Sequence, residues 1–387
     1  MRPTSHVKKR MDLNIENHLS LTERMNLGSY YTPSKYVNLV AEWLGDLDIP
    51  RDSVIADLSC GYGAFFALHE FFPQCRYLGN DIDPKAIAQA KAYFPFIHAF
   101  QRNILKGVSR KNFGLMPKEL LVIVGNPPYN DRTSIVGRTK KLGRCDMDAA
   151  LYTRDLGMSS LLAYNKLKAE YVAVLHPLSY LLKETNFRCC AAFFRNYELL
   201  EHQIFSSQEF AGTSRLAAFP VIVALYHRQP KCGLSYQDVQ KMLFHTVEGK
   251  NFRLSQRDFI TAYIRKYPHK QRFTPELLFY TQRDVNALKR NRTFLKTRIP
   301  NAVDIAPEQL PYYCYLDCFR QFAQVPYWMG NFDVPLILAE FPALAEDFIA
   351  VAKYAHPDIF GKCPAPGKAC QKRVQDYIRR VVDFGTT

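Results

Sequence analysis

The sequence is easiest to bound by what it does not contain. No apolar run approaches the ~20 residues needed to span a bilayer. The first residues, "MRPTSHVKKRMD", are basic but lack the apolar core of a secretory signal. Ten cysteines are present, scattered and with Cys189 next to Cys190, so no spaced disulfide framework is visible. These absences lead to the expectation of a cytoplasmic protein. Internal repeats and low-complexity linkers are lacking too, which excludes solenoids and tethers. No turn spells G-x-G-x-x-G, and nothing resembles the G-x-x-x-x-G-K phosphate loop, so a dinucleotide is not the expected ligand. Cys314, Cys318, Cys363 and Cys370 are spaced poorly for a zinc ribbon, the ten histidines show no ligand spacing, and no metal site is assigned.

Acidic charge is the other shortage. The chain carries 51 Lys and Arg against 36 Asp and Glu, for a net +15. Of this excess, 23 basic against 15 acidic residues fall in 231–387. Thirteen basic residues lie between Lys250 and Arg298 with Asp258, Glu276 and Asp284 as the only acids, and tyrosines and phenylalanines stand among them. A solvated face would explain such a run. Basic residues interleaved with aromatics over fifty positions suit a polyanion better, because phosphates and exposed bases call for both.

What is present begins with a rhythm. From Ser53 to Arg228, short apolar or β-branched runs alternate with helical periods. Strands are expected at 53–57, 76–81, 95–100, 120–126, 171–177 and 219–228, and helices at 65–72, 84–93, 155–169 and 184–196. That alternation predicts an α/β fold with a mostly parallel sheet covered on both faces and ligands at the carboxyl ends of its strands. The rhythm stops near Gln229-Pro230, where a domain boundary is expected.

Three stretches sit at strand ends. In "VIADLSCGYGAFF" a strand ends at Asp57, and a turn with Gly61 and Gly63 leads into a helix, either for packing alone or to let a ligand approach the backbone. In "YLGNDIDPKAIAQA" Asp81 lies about twenty residues after the turn, the usual place for a ribose-binding acid, while Asp83 before Pro84 reads as a helix cap. In "LLVIVGNPPYNDR" a core strand runs into Asn126, Pro127, Pro128 and Tyr129. The prolines can serve simply to end the strand. Alternatively, the Asn126 side-chain oxygen and the Pro127 carbonyl can accept both hydrogens of an NH₂ group, with the Tyr129 ring as a stacking face.

Together these stretches resemble the S-adenosylmethionine-dependent DNA adenine-N6 methyltransferases, most closely the gamma-type order in which cofactor motifs precede the catalytic one. "LGSYYTPSKYVNLVAEWL" (27–44) looks like that group's N-terminal motif, and "YVAVLHPLSYLL" and "EFAGTSRLAAFPVIVALYHR" follow in its order. The resemblance covers roughly residues 27–228. It implies a Rossmann-like class I methyltransferase sheet, mostly parallel with an antiparallel last strand, at 27–230. A basic lead-in at 1–26 would precede it, and a basic, aromatic DNA-recognition domain at 231–387 would follow.

S-adenosylmethionine is the implied cofactor. Tyr31, Thr32, Asp57, Ser59, Gly61, Gly63, Asp81, Ile82, Asn103 and Asn126 would line its site. Asn103 stands where the pattern usually has Asp, and would accept from the cofactor's adenine amine without a charge. Asn126, Pro127, Pro128 and Tyr129 would be catalytic, and Tyr129 and Phe210 would hold the target base. Duplex DNA is the implied partner, gripped by Arg132, Arg138, Lys140 and Lys141 after the catalytic tip and by Lys289, Arg290 and Arg292 further on. A cognate restriction endonuclease would be a further partner, and the nucleoid the expected place. Three alternatives stay open: methylation of an RNA base, methylation of a protein glutamine by the same tip, and a non-catalytic nucleic-acid-binding subunit.

Overall fold

The computed structural model describes residues 31–129, 146–210 and 218–383. Arg132, Arg138, Lys140 and Lys141 therefore lie outside the described residues. The chain divides into two compact units, one ending at Val239 and one from Gln240 onward.

The first unit is built on seven strands: β1 Val54–Asp57, β2 Arg76–Asp81, β3 His98–Gln101, β4 Leu121–Gly125, β5 Tyr171–Pro177, β6 Tyr197–Ser206 and β7 Pro220–Arg228. Their order across the sheet is β3-β2-β1-β4-β5-β7-β6. β1 pairs in parallel with β2 and β4, β2 with β3, and β4 with β5. Only β7 runs the other way, antiparallel to both β5 and β6. This is the expected sheet, mostly parallel with an antiparallel last strand. Residues such as Ile55, Val122, Ile123, Val172, Val174 and Ile222 are fully buried, as strands covered on both faces require. From β1 the chain winds outward in one direction to β3 and then in the other from β4. The β1–β4 junction is therefore the switch point, where the carboxyl ends open a crevice.

Three helices matter for the site. α1 (Ser34–Gly45) buries Tyr36, Val37, Val40, Ala41 and Leu44, one stripe of three-to-four spacing. α2 (Pro84–Tyr93) begins as expected, with Pro84 in its first turn and the Asp83 carboxylate accepting from the Lys85 N–H at 2.9 Å. α3 (Leu156–Leu167) is apolar on nearly every side and accordingly buried, from Gly157 through Tyr164.

Two expectations are corrected. β6 did not read as a strand, because Glu198, Glu201 and His202 interrupt its apolar alternation. It is an edge strand with a register shift between Leu199 and Glu201, where polar side chains reach solvent. The helix expected over 184–196 is broken into short pieces, Glu184–Cys189 and Ala191–Phe194.

In the second unit, helices Leu310–Phe322, Phe341–Ala355 and Lys368–Val382 pack around Tyr315, whose ring meets Phe341, Phe348 and Tyr377. A three-stranded antiparallel sheet places Leu278–Tyr280 between Phe294–Leu295 and Ala302–Asp304. Among the described residues, no helix is long and apolar enough to cross a membrane.

Candidate active site

Because β1, β2 and β4 are parallel neighbours, their last residues come to one edge of the sheet. Asp57 ends β1, fully buried, with one carboxylate oxygen accepting from the Ser59 N–H at 3.1 Å. Burial pushes its carboxyl up to about 8. The Ser59 bond opposes that rise, and the neighbouring Asp81 adds to it. Asp81 ends β2 and accepts from the Gly61 N–H at 2.8 Å and the Asp83 N–H at 2.9 Å. Its carboxyl is also raised by burial, against those two bonds. The glycine turn is thus tied at both ends to acids on adjacent strands. Gly63 closes it in a left-handed conformation and opens the short helix Ala64–Glu70. Ile82 projects beside this pair and is 65% exposed.

β4 delivers the third component. Gly125 follows Val124, the partner of Asp57 in the register, and its α-carbon faces the Asp57 carboxyl. Asn126, half-buried, comes next, followed by the buried Pro127 and the half-buried Pro128. Tyr129 is 8% exposed. The structure therefore brings Asp57, Ser59, Gly61, Asp81 and the Asn126–Tyr129 tip to one edge.

Thr32 is buried just ahead of Pro33, which leads into α1; Tyr31 is half-buried. From that helix the Tyr36 hydroxyl donates to Glu209 at 2.6 Å, Lys35 pairs with Glu209, and the Tyr36 ring stacks on Phe205 at 3.9 Å. Phe210 follows, 1% exposed, edge-on to Phe205. The expected base-contact residue thus lies inside, next to the start of α1.

Asn103 is used differently from expectation. Its side-chain oxygen accepts from the Leu105 N–H at 2.9 Å, and its amide donates to the Asp146 carbonyl at 2.5 Å. An aspartate could not make the second bond. Asp148 strengthens the same anchorage, accepting from the Gly107 N–H at 2.9 Å and from Lys166 at 2.8 Å.

In the second unit, Arg290 and Arg292 are exposed. Lys289 departs from the expectation: its ammonium donates to the Arg320 and Ala323 carbonyls at 2.7 and 2.8 Å, closing the end of helix Leu310–Phe322. Burial lowers its pKa. The basic run is also less bare than it reads. Lys266 pairs with Asp333, Arg272 and Arg298 with Asp304, and Lys296 with Asp358, all acids outside the run.

Several site residues were missed. Asn80, buried between Gly79 and Asp81, donates to the Leu58 and Arg102 carbonyls, both at 3.0 Å, and clamps the glycine turn to the end of β3. A polar residue inside an apolar strand was its signal. Tyr164 of α3 is fully buried, and burial, with Asp57 adding to it, pushes its hydroxyl pKa up so that it stays protonated. Asp155 caps α3 through the Gly157 and Met158 N–H groups and accepts from the Tyr180 hydroxyl.

Residues 15–184 match the model of a family described as N-6 DNA Methylase. No curated protein matches the chain. Solved structures similar to it include a proposed RNA methyltransferase from Pyrococcus horikoshii. That protein is 12% identical, with a TM-score of 0.36 over 58% of this chain and 97% of its own. A TehB-like S-adenosylmethionine-dependent methyltransferase from Corynebacterium glutamicum is 15% identical, with a TM-score of 0.28 over 51% and 100%. A third, an S-adenosylmethionine-dependent methyltransferase from Anabaena variabilis, is 13% identical, with a TM-score of 0.34 over 51% and 86%. Such distant likenesses say nothing of the substrate. Residues 15–184 of this chain are thus similar to the N-6 DNA methylases in sequence, and the sheet order is that of a Rossmann-like α/β fold.

Proposed function

We propose that the protein is a site-specific DNA methyltransferase acting on the N6 amino group of an adenine turned out of duplex DNA. Its role would be in a restriction-modification system or as a solitary methylase. The observation that carries the reading is the position of Asn126-Pro127-Pro128-Tyr129 directly after β4, one strand from the buried Asp57.

The residues suit the cofactor. A buried carboxyl with its proton held to about pH 8 favours a cationic neighbour, which would restore its charge. Asp81 offers acceptors to ribose hydroxyls, and the exposed Ile82 an apolar face to a base. Bound there, the cofactor supplies an electrophilic methyl group on a cationic sulfur.

The chain's own residues do the rest. An adenine amine is a weak nucleophile because its lone pair is conjugated into the ring. Hydrogen bonds from its two hydrogens to Asn126 Oδ1 and the Pro127 carbonyl favour a pyramidal nitrogen with an available lone pair. Both acceptors are fixed before reaction, so they stabilise the positive charge developing on nitrogen without reorganising. Unstacking the base costs a few kcal/mol, and stacking on Tyr129 returns roughly 1–3 kcal/mol. Arg290 and Arg292 would contact phosphates from the second unit.

The test is to incubate the protein with labelled cofactor and duplex DNA, single-stranded DNA or RNA, then digest and identify the labelled base. N6-methyladenine from duplex DNA is expected. Label confined to RNA or to protein would overturn the reading.

A further inference from the structure

Tyr129 is backed by a buried arrangement that neither the motif nor the proposed chemistry uses. Its centre is Gly157, in the first turn of α3. A Cβ at that position would lie 3.3 Å from the Tyr129 Cβ, 3.3 Å from Asp155 Oδ1, and far inside contact with the Tyr180 hydroxyl. The catalytic tip, the cap of α3 and the short helix Ser179–Leu182 after β5 therefore converge on one bare backbone position.

Hydrogen bonds tie the three together. Tyr180 donates to Asp155 Oδ1, the oxygen that also accepts from the Gly157 N–H at 2.9 Å and the Met158 N–H at 3.3 Å. Thr153 holds Asp155 from the other side, its hydroxyl donating to the Asp155 carbonyl at 2.6 Å. The Tyr180 ring, 2% exposed, stacks on His176 of β5 at 5.2 Å and 7°. His176 in turn lies 2.8 Å from the Tyr226 hydroxyl of β7. Burial lowers His176 to about 4, so it is neutral, and burial beside Asp155 keeps the Tyr180 proton in place at neutral pH.

We infer that Tyr180 and Asp155 are positioning residues for the catalytic tip, transmitting the rigidity of β5 and β7 to the place where the Tyr129 ring stands. Neither needs to touch the base or the cofactor. The consequence for catalysis rests on the proposed function, whereas the order of the tip can be read without it.

Tyr180→Phe, Gly157→Ala and the double variant of the full chain provide the test. The readouts are hydrogen exchange in a peptide covering 121–129, cofactor affinity by titration, and methyl transfer to DNA. Each single variant should raise exchange at the tip about tenfold while leaving cofactor affinity within about twofold. Turnover should fall about 10- to 100-fold, as for a group displaced by an ångström. The double variant should lose less than the two singles combined, because Phe removes the oxygen that the new Cβ meets. Asp155→Asn, which keeps an acceptor and a good cap, should stay within about threefold of the parent, and Asp155→Ala should not. Unchanged tip exchange in Tyr180→Phe, or additive losses in the double variant, would overturn the inference. If the parent protein transfers no methyl group to DNA, the proposed function fails, and tip exchange still decides whether Tyr180 positions Tyr129.

Discussion

Gly125 and Asp57 meet across the β1–β4 junction: a Cβ on the glycine would stand 2.9 Å from Asp57 Oδ1. Gly125 also has φ +153°, a conformation that side chains rarely adopt. The residue before the Asn126–Tyr129 tip therefore has two reasons to be glycine, and both bear on Asp57. Gly125→Ala should lower stability by about 1–3 kcal/mol through backbone strain, measured by urea unfolding. Because the new methyl must displace the Asp57 carboxyl, cofactor affinity should also fall about tenfold, or 1.4 kcal/mol, measured by titration. A variant that loses stability but binds normally would detach Asp57 from the cofactor.

The proton on Asp57 gives a pH signature. Its carboxyl stands at about 8 in the folded chain, against an ordinary value of 3.8. Between those values the folded state binds more protons than the unfolded one, so its contribution to stability falls as pH rises from about 4 to about 8. The slope is at most about 1.4 kcal/mol per pH unit. Asp81, raised in the same sense, contributes with the same sign. Without cofactor, Asp57→Asn should therefore gain on the parent as pH rises, and urea midpoints at pH 5 and pH 8 would show it. An equal difference at both pH values would mean that Asp57 is ionised when folded.

Asn126 and Tyr129 should separate chemistry from binding. Asn126→Ala removes one fixed acceptor for the amine and should lower turnover about 10²–10³-fold or more, with DNA and cofactor affinities retained. Tyr129→Phe keeps the stacking face and should be milder than Tyr129→Ala, whose loss is roughly 1–3 kcal/mol of base stacking. Single-turnover transfer and direct binding assays distinguish the two effects. Near-normal turnover in Asn126→Ala would refute the proposed chemistry.

How far these positions could be read from sequence depends on the range of the interaction concerned. β2, β5 and α2 start and stop where the pattern placed them, because apolar runs, a proline and an Asp cap are local signals. Asp57, Asp81 and Asn126 were legible because strand ends in a parallel sheet share an edge whatever the details. β6 was missed because an edge strand needs no continuous apolar face. Tyr180 and Asp155 are 25 residues apart, and their bond exists only once β5 has brought the two together. The bonds from the Asn103 amide and the Lys289 ammonium were not legible for one reason: residue type shows what a side chain can bond, but not that backbone carbonyls 43 and 31 residues away engage it.

Lys289 and its neighbours should part company in a salt titration. Arg290 and Arg292 are exposed, so each phosphate they neutralise adds about −0.9 to the slope of log affinity against log salt on duplex DNA. Replacing both with Ala should flatten that slope by up to about 2 while leaving unfolding unchanged. Lys289 is occupied by two carbonyls at the end of a helix. Lys289→Met should leave the slope nearly unchanged and lower stability instead, by about 0.5–1.5 kcal/mol per lost hydrogen bond. A steep slope that survives in Arg290→Ala/Arg292→Ala would move the phosphate contacts elsewhere in the chain. A flattened slope in Lys289→Met would mean that its ammonium leaves the helix end to meet DNA.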